Sequence, residues 1–342
     1  MGACGSSQVV VSTPESKKIE EDISQSKKRL QKEIVILVLG AGECGKTTLC
    51  KHFQMINGYF TDEERAKYGS AIQNSLVQYM KILIRAADYL GYTLPNPERA
   101  NKFLALEGPL TPEMGSLILD FWREEPIKMA FKQRNVLFTL PDCCEVLFNK
   151  AEEISALNYQ PTDDDCLRVR LRTIGIIEYH LSVEDFLFKL VDVGGQRNAR
   201  KKWIHCFDKV NCLLYCIALD DYSMVLAEDL KTNRMLESVK LFTDVVSIRA
   251  ISHVPLIIFF NKIDMLREKI ATYPLSDLFE DYKGGSDPDA ALSFIKDQYL
   301  DQIQSKRQHY VHVTCALDRK NINVVFNAIR NILLKEDMAT IL

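Results

Sequence analysis

Six short apolar runs are spread along the chain: residues 33–39, "IGIIEYHLS", "FLFKLVDV", "VNCLLYCIALD", "VPLIIFFNKID" and "YVHVTCA". Several are continuous rather than alternating, which predicts strands buried on both faces. Segments with helical spacing lie between the later runs, at Asn233–Ile248, Ala290–Gln304 and Asn321–Glu336. That alternation predicts an α/β fold with a mostly parallel six-stranded sheet and helices on both faces. From about Gly58 to Asp165 the texture changes. "AIQNSLVQYMKILIRAADYL", "GSLILDFWREEPIKMAFKQ" and "DCCEVLFNKAEEISALN" repeat at helical period, without a clear strand and with Pro95, Pro97, Pro109 and Pro112 between them. We therefore expect a nested all-α domain at 59–167, inserted into a nucleotide-type α/β domain formed by 32–58 and 168–342. Ahead of both, Ile19, Ile23 and Leu30 form a loose helical stripe flanked by Lys17, Lys18, Lys27, Lys28 and Arg29, which predicts an amphipathic helix within 1–31.

Composition narrows the classes. With 342 residues, 47% hydrophobic content and a formal net charge of -3, the chain can bury a full core and carries no basic field suited to nucleic acid. None of the apolar runs approaches the 18 or so residues that a membrane span needs. The ten cysteines show no paired CxxC spacing and no secretory leader precedes them, as expected of a reduced, cytosolic chain. Cys212 and Cys216 fall inside an apolar strand and are read as buried thiols in preference to zinc ligands. "MGACGS" fits the myristoylation pattern at Gly2, and Cys4 offers a palmitoyl site, so that two lipids and the basic helix together would hold a membrane surface.

The chemistry begins at Gly40–Thr47, where G-x-x-x-x-G-K-[ST] follows a strand and opens a helix. Backbone amides of Gly42, Glu43, Cys44, Gly45 and Thr48, at a helix N-terminus, suit phosphates; Lys46 suits the β/γ oxygens and the Thr47 hydroxyl suits Mg²⁺. Asn261-Lys262-Ile263-Asp264 ends a later strand. One carboxylate at Asp264 can accept the two donors that guanine offers and adenine lacks, and Thr314-Cys315-Ala316 closes the same side. Asp192 ends another strand, placed to hold Mg²⁺ through water, with Gly195 offering its amide to a γ-phosphate and Gln196 orienting a water. Arg168, Arg170, Arg172 and Thr173 gather where the helical insertion returns, beside Leu167; Arg168 and Arg172 are read as the solvated face of a strand.

In family order, "GAGECGKTT", "RVRLRTIGI", "DVGGQRNARKKWIHCF", "NKID" and "TCALD" resemble a heterotrimeric G-protein α subunit, from Gly2 to the C-terminal helix. The resemblance implies a Ras-like P-loop GTPase domain with the nested helical domain, binding GTP or GDP with Mg²⁺ and hydrolysing GTP slowly. It implies Arg170 as an internal arginine finger, Thr173 as the second protein ligand of Mg²⁺, Gln196 as the water-positioning residue and Lys262 as a stem along the guanine plane. Arg197, Arg200, Lys202, Trp203 and His205 would form a switch segment that meets a Gβγ dimer in the GDP state and an effector in the GTP state. The implied setting is the cytoplasmic face of the plasma membrane, with a G protein-coupled receptor at the C-terminal helix and an RGS-type GTPase-activating protein as regulator.

Some positions depart from the family pattern. Cys44 stands for a usual Ser, Ile174 for a Thr and Ala199 for a Glu, so an ion pair beside Arg200 is expected to be missing. Leu230 and Lys231 stand for acidic residues in a third switch, and Ala339 replaces the toxin-modified cysteine of one subclass. Two rival readings differ in class. A GTP-dependent binding module that no longer hydrolyses conflicts with Arg170, Thr173 and Gln196, and a P-loop kinase leaves Asp264 and "DVGGQ" without a role.

Overall fold

The computed structural model describes residues 33–332 apart from 57, 59, 135–137, 139, 142, 172, 184–185, 304–306, 319, 321 and 325. The expected N-terminal helix at 1–31 with Gly2 and Cys4, Arg172, and the tail with Ala339 lie outside the described residues.

All six apolar runs form strands: β1 Glu33–Gly40, β2 Ile176–Val183, β3 Phe186–Val193, β4 Cys212–Ala218, β5 Leu256–Asn261 and β6 His309–Val313. They pair in the order β2-β3-β1-β4-β5-β6, every pair parallel except the β2–β3 hairpin. β4 and β5 are buried at every position, the physical outcome of a sheet covered on both sides. Alternate residues serve opposite cores. Leu37, Leu39, Tyr215, Ile258 and Phe260 pack on one face; Ile36, Val38, Leu214, Ile257 and Phe259 pack on the other. Cys212 and Cys216 belong to this second core. Residues 322–324 and 326–332 are helical, and Ile322, Phe326 and Ile329 are buried there, with Phe326 packed against Phe53 and Phe188. No described helix is long and apolar enough to cross a membrane.

The insertion has its own core. Its first helix runs 28 residues from Asp62 to Tyr89 and is opened by a capping box in which Thr61 and Glu64 satisfy each other's backbone amides. The stretch of helical period at 115–133 forms two helices, Pro112–Arg123 and Glu125–Lys132, because Pro126 lacks the amide that a continuous helix would use. The bend lets Trp122 pack edge-on against Phe131 and lean on Phe148, around a core that also holds Ile72, Met80, Phe103 and Phe121. Arg168, expected on a strand, ends the helix Asp163–Arg168 and pairs with Asp164 one turn back at 2.6 Å.

Candidate nucleotide site

A cavity of about 320 Å³ opens where the carboxyl ends of β1, β3, β5 and β6 meet the insertion, the place where ligands bind in sheets of this kind. β1 delivers the glycine loop and then the helix Lys46–Ile56. The loop demands its glycines. A Cβ at Gly40, with φ of 140°, would stand 2.3 Å from the Cys216 carbonyl oxygen, and one at Gly45, with φ of 100°, would stand 2.2 Å from Asn261 Nδ2. Glu43 also takes a left-handed conformation, which leaves consecutive amides turned toward the cavity. Lys46 is buried, its ammonium donating to Gly40 O at 3.0 Å and Ala41 O at 2.6 Å across the mouth of its own loop.

Beside the loop, three oxygen-bearing side chains converge from distant parts of the chain. Thr47 Oγ1 donates to Asp192 Oδ2 at 2.6 Å and lies 2.8 Å from Thr173 Oγ1, which itself donates to Asp192 at 3.3 Å. Asp192 is fully buried, and its Oδ1 has no hydrogen-bond partner among the described residues. Burial pushes its carboxyl above the usual range, against the pull of Lys46 and the two hydroxyls. Two hydroxyls and a carboxylate with an unused buried oxygen are hard donors suited to Mg²⁺, so the residues present fit that ion.

The base side is built from the ends of β5 and β6. Asn261 donates from Nδ2 to Cys44 O at 2.9 Å and accepts from Ala316 N at 2.8 Å, tying the phosphate loop to the last strand. Lys262 adopts φ of 64° and caps the helix Ile263–Lys269, which turns Asp264 to the cavity with Met265, Cys315 and Ala316. Thr48, Leu167, Arg168 and Arg170 also line the cavity. Pro141 and Cys143 of the insertion also line it, as does Lys51. Lys51 is buried, donates to Cys166 O and Val169 O at 2.9 and 3.1 Å, and is pushed down to about 8 by that burial.

The Cys44 side chain is packed in the sheet core, where its Sγ accepts from Lys46 Nζ at 3.7 Å, and its carbonyl accepts from Asn261 Nδ2 at 2.9 Å. Burial, the largest influence on its thiol, opposes ionisation but is outweighed by Cys216, Lys46 and Lys262, which together draw it below the usual thiol range. Arg170 lines the cavity with its guanidinium on Glu43 at 2.6 Å, and Glu43 is also held by Arg234 at 3.2 Å. Gly195 is enclosed so tightly that a Cβ would stand 2.5 Å from Gly40 O, Ala41 O and Lys46 Nζ, while the Gln196 side chain reaches over Gly42.

The segment after Gln196 forms a 3₁₀ helix, Arg200–Cys206. The ion pair expected to be lost at Ala199 is made elsewhere: Arg200 bonds Glu237 at 2.7 Å. Arg197 joins the same carboxylate and Asp229, and Asp229 also fixes Thr232, so the third-switch loop is engaged despite Leu230 and Lys231. Lys202 and His205 are exposed. Trp203 is not: it is 4% exposed, and its Nε1 donates to Gly194 O at 2.9 Å. In this conformation Ile204, 68% exposed, is the apolar residue that the segment presents. Trp203→Phe leaves a buried carbonyl unpaired, and we expect a loss of about 2 kcal/mol in unfolding free energy, read by chemical denaturation.

The fold and the site define a P-loop protein of the guanine-nucleotide-binding class. The model of the G-protein alpha subunit family matches residues 13–333. The chain is 36% identical to the guanine nucleotide-binding protein alpha-2 subunit of Dictyostelium discoideum, with 98% of each chain covered. It belongs to the G-protein α subunit family, whose members bind guanine nucleotides, are GTPases in general and act in G-protein signalling.

Proposed function

We propose that this chain is a slow, self-timing GTPase switch that binds GTP with Mg²⁺, hydrolyses it and hands the result to partners. The convergence of Thr47, Thr173 and Asp192 beside Lys46, Gln196 and Arg170 carries this reading. Asp264 accepts the two guanine donors, and Asn261 ties the phosphate loop to the segment that follows the last strand. Thr47, Thr173 and Asp192 would hold Mg²⁺, which would supply positive charge against the phosphate oxygens. Gln196 orients a water in line with the γ-phosphate. Lys46 and Arg170 stabilise the charge that develops there, Arg170 exchanging the Glu43 carboxylate for phosphate oxygens.

The same reading assigns the wider setting. The GDP form binds a Gβγ dimer through the segment Arg197–His205, with Arg200, Lys202 and Trp203 as contacts once the segment rearranges. The C-terminal helix meets a receptor, the GTP form meets an effector, and an RGS-type protein accelerates turnover. Gly2 and Cys4 carry the lipids that place the protein on the cytoplasmic face of the plasma membrane.

Protein loaded with GTP without Mg²⁺ and then triggered with Mg²⁺ is expected to release one phosphate per bound nucleotide in a single turnover. Stable GTP binding without phosphate release would favour the non-hydrolysing module.

A further inference from the structure

β4 ends in two consecutive buried aspartates that face different ways. Asp220 and Asp221 lie in the 3₁₀ turn Leu219–Ser223, both essentially without exposure. The turn is fixed from outside: Tyr222 OH donates to Tyr273 O at 2.9 Å, and Asn233 Nδ2 donates to Tyr222 O at 2.7 Å. Asp221 meets Arg234 at 2.8 Å, and Arg234 continues to Glu43 in the phosphate loop. Asp220 meets two lysines instead, Lys269 Nζ at 2.8 Å and Lys262 Nζ at 3.4 Å. Burial alone would raise the Asp220 carboxyl, but Lys262, Lys269 and Arg234 reverse this and hold it well below the usual range. It is therefore an anion at any physiological pH.

This arrangement bears on the base pocket because Lys262 is the one of the two lysines that lines it. Lys262 carries a left-handed backbone on one side of Asp264, and its ammonium is anchored behind the wall by a carboxylate that does not itself line the cavity. With that anchor the four-carbon stem stays stretched along the wall; without it the ammonium gains solvation by swinging outward, taking the stem with it.

We propose that Asp220 is a positioning residue for nucleotide retention, holding Lys262 against the base so that the rate at which GDP leaves is set partly from outside the cavity. The inference rests on the guanine-nucleotide reading of the site.

The test is the release of a fluorescent N-methylanthraniloyl GDP from the full chain, chased with excess unlabelled GDP. Asp220→Asn is expected to release the label about tenfold faster than wild type. Lys262→Met is expected to be fast by itself, and adding Asp220→Asn to it is expected to change nothing further, because the aspartate acts through that lysine. A wild-type rate in Asp220→Asn overturns the proposal. So does an acceleration that persists in full on the Lys262→Met background, which is what a general loosening of the fold would give. Asp220→Asn with Lys269→Met removes one buried charge of each sign and guards against a folding failure. It is expected to keep fast release with a single cooperative thermal unfolding transition, its midpoint in nucleotide lowered no further than the weaker retention accounts for, and wild-type release from it also overturns the proposal. Wild-type protein that takes up no labelled GDP overturns the nucleotide reading itself, and this inference with it.

Discussion

Arg170→Ala is expected to slow single-turnover phosphate release by about 10²- to 10³-fold, the usual loss when one preorganised charge partner of a transition state is removed. The reason lies in what Arg170 can reach. Its side chain is 32% exposed and lines the cavity, and among the described residues its guanidinium pairs with Glu43 at 2.6 Å, so an alternative anion in the cavity can recruit it without breaking a core contact. Such an interaction is worth more as charge develops than in the bound ground state, so GTP affinity is expected to change little. Glu43 keeps Arg234 as a partner, which limits the loss of stability. Gln196→Leu should slow release to a comparable degree, because a leucine cannot orient a water. Unaltered release in both variants, with GTP bound, would show that these two side chains do not act on the reaction.

The second large effect is on base choice. Asp264 stands in the first turn of the helix Ile263–Lys269, facing the cavity beside Cys315. Asp264→Asn replaces one acceptor by an amide donor, which then faces a guanine donor with no lone pair between them. We expect GTP binding to weaken by at least about 10²-fold and xanthosine triphosphate, whose C2 oxygen accepts, to become the preferred ligand. Competition binding of the two nucleotides to wild type and variant reads this directly, and an unchanged preference for GTP would remove Asp264 from base recognition.

The parts of the molecule legible in the sequence are those where chemistry is written in spacing. β4 announces itself because a strand buried on both sides must be apolar throughout, and the glycine loop because backbone amides need residues free of a Cβ. Glu237 carried no such signal. It supports Arg200 and Arg197 from 37 and 40 residues downstream, and on its own helix it reads as one more solvated acid. Lys51 and Asp220 escaped for a related reason: a charged residue near an apolar run looks exposed until the fold supplies its partners. Pro141 and Cys143 reach the cavity from the insertion, a placement fixed by packing between bodies that no local pattern encodes. Trp203 could be read as core or as contact surface, and the sheet core takes it in this conformation.

Lys51 also bears on how the chain closes up. It leaves the first helix of the α/β body and holds the carbonyls of Cys166 and Val169, just where the chain comes back from the insertion. Without a folded insertion, bringing those points together closes a loop of 115 to 118 residues; with it folded, the effective loop shrinks to about a tenth of that length, saving roughly 2 kcal/mol of chain entropy. Assembly that begins in the insertion thus shortens the search that the split sheet must make. The buried ammonium then acts as a clasp over a seam that both halves of the molecule share.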